Sequence, residues 1–143
     1  MGHTRIELLF PPDVVEGGVD LDALPVVRVP DVRLAGRAAD HLTRSGGFGL
    51  VVVDLSDAGR ADLPAPLLTR LLGLTRQHNV AVLLLTKKSH ERSSVHSLIS
   101  LRADAQWRAI DGGYEVCVRV LKDKRSGPGW TSVETCRGTV GLR

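Results

Sequence analysis

Leu50-Val51-Val52-Val53-Asp54 is an apolar, β-branched run that ends in a carboxylate. A strand of this kind delivers its terminal acid to the carboxyl edge of a sheet. There it can reach a magnesium ion through a water, beside a nucleotide phosphate, as a Walker B aspartate does. Many strands also end in an acid simply to open a loop, so Asp54 needs support from elsewhere in the chain. Two basic groups are the other candidates. Lys87, Lys88 and Arg92 follow a second apolar run, Val80–Leu85, at the edge where α/β proteins bind ligands. Lys122, Lys124 and Arg125 fall at the end of a strand-like stretch and in the turn after it, and strand spacing would project Lys122 and Lys124 the same way. Such groups can hold a phosphate, a nucleic-acid backbone or a partner's acidic tail. They can equally be a solvated hairpin edge guarded by lysine.

The support that Asp54 needs is a phosphate cradle, a Gly-rich turn opening a helix with Lys and Ser/Thr at G-x-x-x-x-G-K-[ST] spacing. The sequence holds no such run: Gly46-Gly47 precedes a strand, Gly112-Gly113 marks a hairpin turn, and the four lysines at 87, 88, 122 and 124 follow no glycine loop. The five histidines, at 3, 41, 78, 90 and 96, have no metal-site spacing, and no G-x-S-x-G elbow is present. Cys117 and Cys136 lie on strand patterns without a C-x-x-C and read as reduced, buried small hydrophobes. No metal, no cofactor and no catalytic residue is expected.

The elements that would carry these residues follow from periodicity. Arg5–Phe10 reads as a short strand stopped by Pro11-Pro12, and Leu24–Val29 as a second, closed by Pro30. Asp31 can cap a helix whose apolar face runs through Val32, Ala35, Ala39 and Leu42 to a stop at Gly46-Gly47. Strand 50–54 and strand 80–85 read as covered on both faces. Between them Asp62 can cap a Leu-rich helix with Pro64 in its first turn, fading at His78-Asn79. Val95–Arg102 reads as a short helix. Beyond it, Gln106–Ile110, an Asp111-Gly112-Gly113 turn, the alternating Tyr114–Leu121 and then Trp130–Cys136 read as antiparallel strands. The expected fold is α/β: a mostly parallel sheet flanked by helices, extended by antiparallel C-terminal strands, in one domain over residues 1–143.

Composition sets the outer bounds. With 143 residues, 43% hydrophobic and 24% charged, the chain suits one globular domain and not a disordered one. It holds no apolar run near the roughly 20 residues of a membrane span and no secretory h-region, so the cytoplasm is the expected location. Aromatic residues are only 3%, too few to suggest a base-stacking platform. The net charge of +3 is uneven: residues 1–63 hold six basic and ten acidic side chains, and residues 87–143 hold eleven basic and six acidic. The basic half suits an anionic partner, or a solvated face.

The order of these motifs resembles the RecA superfamily over about residues 17–137. Gly18–Leu24, then Arg44–Asp54, look like the RecA core around its Walker B strand. Gln77–Thr86 looks like the strand leading to the second DNA-binding loop, and Val118–Pro128 is similar to the V-K-N-K segment and its proline turn. The departures are as informative. No Walker A loop is present, as if the chain began after it, and Leu9-Phe10-Pro11-Pro12 stands where an acid is expected. Thr86-Lys87 replaces the Asn-Gln pair, and the DNA loop shrinks to about Lys88–Ser94. Lys122 and Lys124 match positions that reach a neighbouring subunit's nucleotide in RecA filaments. Asp54 keeps a Walker B-like place, vestigial and without its metal.

A RecA-like shell lacking the nucleotide apparatus is most similar to the ImuA group of RecA-related accessory proteins, which Ser97–Ala103 also fits. That resemblance implies a non-catalytic adaptor in the DNA-damage (SOS) response, supporting error-prone translesion synthesis. Its partners would be an ImuB-type inactive Y-family polymerase homologue and RecA, with weak DNA contact, no membrane and room for a homo-oligomer. Two alternatives stay open: a fragment of a RecA-family DNA-dependent ATPase, and an inhibitor of cell division like SulA, which binds FtsZ.

Overall fold

A computed structural model describes residue 20 and residues 22–56, 63–87 and 96–137. The expected strand Arg5–Phe10 and the basic residues Lys88 and Arg92 lie outside these. The chain divides into two compact units, one containing Pro25–Leu98 and the other Ile99–Arg143.

The first unit is built on α1 (Val32–Ser45), β1 (Leu50–Asp54), α2 (Ala65–His78) and β2 (Ala81–Leu85). Asp31 caps α1 by accepting a hydrogen bond from the Leu34 N–H at 2.7 Å, and Gly46 closes it in the left-handed region at φ 66°. α2 starts differently from expectation. The N-cap position is Pro64, with no side-chain capping bond; its fixed φ of −58° and missing N–H begin the helix without a capping acid. β1 and β2 pair in parallel, Leu50 opposite Ala81 through Asp54 opposite Leu85, with α2 as the crossover that a parallel pair requires. Val51, Val53, Leu55, Leu63, Leu68, Leu71, Val80 and Ala39 form the core. α1 packs on α2 closely at Gly36, where a β-carbon would run into the Leu67 side chain.

Three expectations for this unit are corrected. Leu24–Val29 forms no ladder; bracketed by Pro25 and Pro30, it has no strand beside it among the described residues. The parallel strands are covered on one face only, since Leu50, Val52, Leu83 and Leu85 keep 43–55% of their surface exposed. The third concerns sheet continuity. Among the described residues the parallel sheet has two strands, and the antiparallel strands form a separate three-stranded sheet. The molecule is thus mixed α/β.

That second sheet contains β3 (Leu101–Ile110), β4 (Gly113–Asp123) and β5 (Thr131–Arg137), in the order β3-β4-β5. The Asp111-Gly112 turn joins the first two, with Gly112 at φ 79°. The expected helix over Val95–Arg102 is absent from its described part. Ser100 is instead tied to the end of β4 by the Lys124 N–H at 3.0 Å, and Leu101 and Arg102 already belong to the ladder. Register assigns the faces. Ala103, Ala105, Trp107 and Ala109 share one with Val120, Val118, Val116 and Tyr114. The opposite face pairs Asp104 with Arg119, Gln106 with Cys117 and Arg108 with Glu115. Trp107 and Tyr114 meet edge to face, centroids 5.3 Å apart. A register shift at Arg102/Ala103 makes Leu121 the extra residue. Opposite Val120, Gly129 (φ 101°) and Trp130 form a G1 bulge: the Gly129 N–H binds the Val120 carbonyl and the Val120 N–H binds the Trp130 carbonyl.

Candidate functional site

In the first unit the carboxyl end of β1 opens into a cleft of about 490 Å³ lined by Val29, Pro30, Asp31, Asp54, Leu55 and Ser56, among others. Each side is placed for a local reason. Leu55 is 2% exposed and anchors the strand's end in the core, its N–H bonded to the Leu85 carbonyl, so Asp54 leaves the sheet at the edge. Its Oδ1 then accepts the Ser56 N–H at 2.9 Å, an Asx turn that reverses the chain. Hydrogen bonds from the Ser56 side chain and backbone hold the Asp54 carboxyl below its ordinary pKa, against the opposing effect of burial and with a lesser contribution from the Lys87 charge. Asp54 is therefore a solvent-facing anion with partners from its own chain. Across the cleft, Asp31 is committed to capping α1.

The chemistry this supports is modest. Asp54 can carry charge at the sheet's carboxyl edge. Asp31 lies in the same cleft, but among the described residues no three His, Cys, Asp or Glu side chains come together to hold a metal. Lys87 joins Asp54, as its place after β2 suggests. The sequence singled out neither Ser56, whose hydrogen bonds lower the Asp54 pKa, nor Asp31 as a member of this cleft.

In the second unit Lys122 ends β4 half-buried, and Lys124 and Arg125 are exposed in the turn that follows. β4 stops at Asp123, so Lys124 lies one residue beyond the strand. A turn begins where the Lys124 N–H makes its bond to the Ser100 carbonyl: Asp123 Oδ1 accepts the N–H groups of Arg125 at 2.7 Å and Ser126 at 3.2 Å. These bonds, with the Trp130 side chain and the Arg125 charge adding to them, lower the Asp123 pKa. Arg102 stands directly opposite Lys122. It is the member of this cluster that periodicity missed, because it was read as helical. The arrangement is a basic sheet end with one acid at its centre, suited to an anionic surface. Lysine does not guard the hairpin's edge, since Lys122 lies on the central strand. Cys117 is half-buried, but Cys136 is exposed, against the expectation that both are buried; it sits on the outer strand β5.

Among the described residues no helix is long and apolar enough to cross a membrane. No family model matches the chain, and no curated protein does.

Proposed function

We propose that this chain is a non-catalytic, RecA-like binding protein, an adaptor of the ImuA type that supports error-prone translesion synthesis after DNA damage through protein contacts. In this reading the β1-α2-β2 unit is part of a RecA-like, mostly parallel sheet, and Asp54 is the remnant of a Walker B aspartate. The observation that carries the reading is how Asp54 is engaged. It stands at the carboxyl end of a parallel strand, where a nucleotide-site acid would stand, yet its carboxylate is hydrogen-bonded by the adjoining Ser56. The sequence supplies no glycine-rich phosphate cradle beside it. The contact surface for an acidic partner segment is the basic sheet end of Arg102, Lys122, Lys124 and Arg125, with Lys87, Lys88 and Arg92 as the second candidate.

Two measurements test this. The full chain should capture an ImuB-type polymerase homologue from a damage-induced extract, and Lys124→Glu/Arg125→Glu should weaken the capture. It should also show no magnesium-dependent ATP hydrolysis. Micromolar ATP–magnesium binding with turnover abolished by Asp54→Asn would replace the adaptor with a RecA-family ATPase. Inhibition of FtsZ polymerisation by the chain would move the reading to a SulA-like inhibitor.

A further inference from the structure

β3 is a long edge strand that lacks two common protections. Leu101–Ile110 contains no proline and no lysine, the two residues that most often blunt an open edge. Among the described residues no strand lies beyond it. Its outward backbone groups can be identified. Both main-chain groups of Val120 are used toward Gly129 and Trp130, so its pairing with Ala103 is not hydrogen-bonded. The Ala103 N–H and C=O consequently face the open side, and by alternation so do those of Ala105, Trp107 and Ala109. The Lys124-to-Ser100 bond agrees, placing the even-numbered residues' backbone groups toward β4. All four outward residues are exposed, Trp107 at 70%.

We propose that this edge is the seam of a homodimer, in which β3 pairs antiparallel with β3 of a second copy about a two-fold axis at Gln106. The charges on the strand argue for this occupant. With the axis at Gln106, Asp104 stands opposite Arg108 of the partner subunit and Arg108 opposite Asp104 of the partner subunit. Both pairs fall at non-hydrogen-bonded positions, where Cα atoms are about 4.5 Å apart and side chains meet most closely. Ala105 and Trp107 of the partner subunit become a hydrogen-bonded pair, as do Ala103 and Ala109 of the partner subunit, and about eight main-chain hydrogen bonds close the seam. Neighbouring registers of the same kind are worse. An axis at Ala105 sets Arg102 against Arg108 of the partner subunit, and an axis at Trp107 leaves Asp104 opposite Ile110 of the partner subunit. Arg108 already binds Glu115 through Nε at 2.7 Å, but its side chain is 71% exposed, and a guanidinium has donors left for a second carboxylate. The result is one six-stranded sheet with the apolar face running unbroken across the axis.

Sedimentation equilibrium of the full chain decides it. Wild type should sediment as a concentration-dependent dimer. Asp104→Arg or Arg108→Asp turns two attractive pairs into two repulsive ones and should raise the dimer dissociation constant by about tenfold. The double variant Asp104→Arg/Arg108→Asp should recover the dimer. Inside one subunit the same double change sets like charges against Arg119 and Glu115, so a purely internal effect would make it worse than either single. Ala105→Pro removes an outward N–H that bonds to no described residue, and should give a monomer with an unchanged circular dichroism spectrum. If that variant fails to fold, the charge exchange alone decides. A wild type monomeric at a hundred-micromolar scale, or a dimer indifferent to the charge exchange, overturns the proposal.

Discussion

Asp40 on α1 is the one buried acid among the described residues, and its replacement tests how the helix layer is held. Its carboxylate is 11% exposed and pairs with Arg44 one turn along and with Arg70 of α2, whose Nε lies 2.6 Å from Oδ1. The second contact is an ion pair without hydrogen-bond alignment, since Oδ1 has no hydrogen-bond partner. Asp40→Asn keeps the shape and removes the charge. A desolvated charge-assisted contact is worth about 1.5–3 kcal/mol. The side chains of Arg44 and Arg70 are 46% and 55% exposed, so they return to water when released, and surface pairs contribute only about 0.2–1 kcal/mol. The carboxylate's burial places the total between these limits, at about 1–3 kcal/mol, or a fall in Tm of roughly 3–9 °C for a chain of this length. Urea denaturation followed by circular dichroism measures it. Arg70→Met, which keeps the apolar stem, should couple to Asp40→Asn by about 0.5–1.5 kcal/mol in a double-mutant cycle. A loss under about 0.5 kcal/mol for Asp40→Asn, or no coupling, would refute the claim that this carboxylate ties α1 to α2.

Two further outcomes follow from local geometry. The Asp54 carboxyl should titrate below the usual carboxylate range by NMR, and Ser56→Ala should raise its pKa more than Lys87→Met, because the Ser56 bonds dominate the shift. A carboxyl depressed in the folded state stabilises the fold above roughly pH 3.9, and that contribution fades as pH falls through the lowered folded value. The stability gap between wild type and Ser56→Ala should therefore close only in strong acid. At the G1 bulge, Gly129 sits at φ 101°, which a residue with a β-carbon adopts at a cost of about 1–3 kcal/mol. Gly129→Ala should lower the urea midpoint accordingly, and an unchanged midpoint would mean that the bulge relaxes freely.

The sequence resolves those parts of this fold that depend on neighbours along the chain. α1 lies between Asp31 and Gly46 because an N-cap and a left-handed C-terminal position are local signals. β1 and β2 emerge from their apolar runs, and the β3–β4 hairpin from Asp111-Gly112. What failed depends on partners remote in sequence. Leu24–Val29 has strand composition but no strand to pair with among the described residues, and a strand without a ladder is only a stretch of chain. Leu101 and Arg102 read as helix on local pattern, and became strand because the Lys124 N–H extends the ladder back to Ser100. Continuous apolar runs in β1 and β2 suggested cover on both faces, yet the same residues stand half exposed on one. Composition records that a face is apolar and leaves open what lies against it.

The same division governs the charged groups. Asp54 and the charge of Lys87 come near each other because Asp54 ends β1 and Lys87 follows two residues after the end of its parallel neighbour β2. Lys124 lies one residue past the end of β4, where the Asp123 carboxylate accepts the N–H groups of Arg125 and Ser126 and opens a turn. Arg102 enters the basic cluster through register alone, standing across from Lys122, twenty positions further along the chain. Register also arranges Asp104 and Arg108 on one face of an exposed edge, four residues apart and of opposite sign. In a helix that spacing would make them partners within one chain. In an extended strand they lie too far apart to touch, and an antiparallel copy is the simplest partner that satisfies both at once. The charge exchange at Asp104 and Arg108 therefore tests more than oligomeric state. It asks whether the basic surplus of this half of the chain is organised by the sheet, or is only a solvated surface.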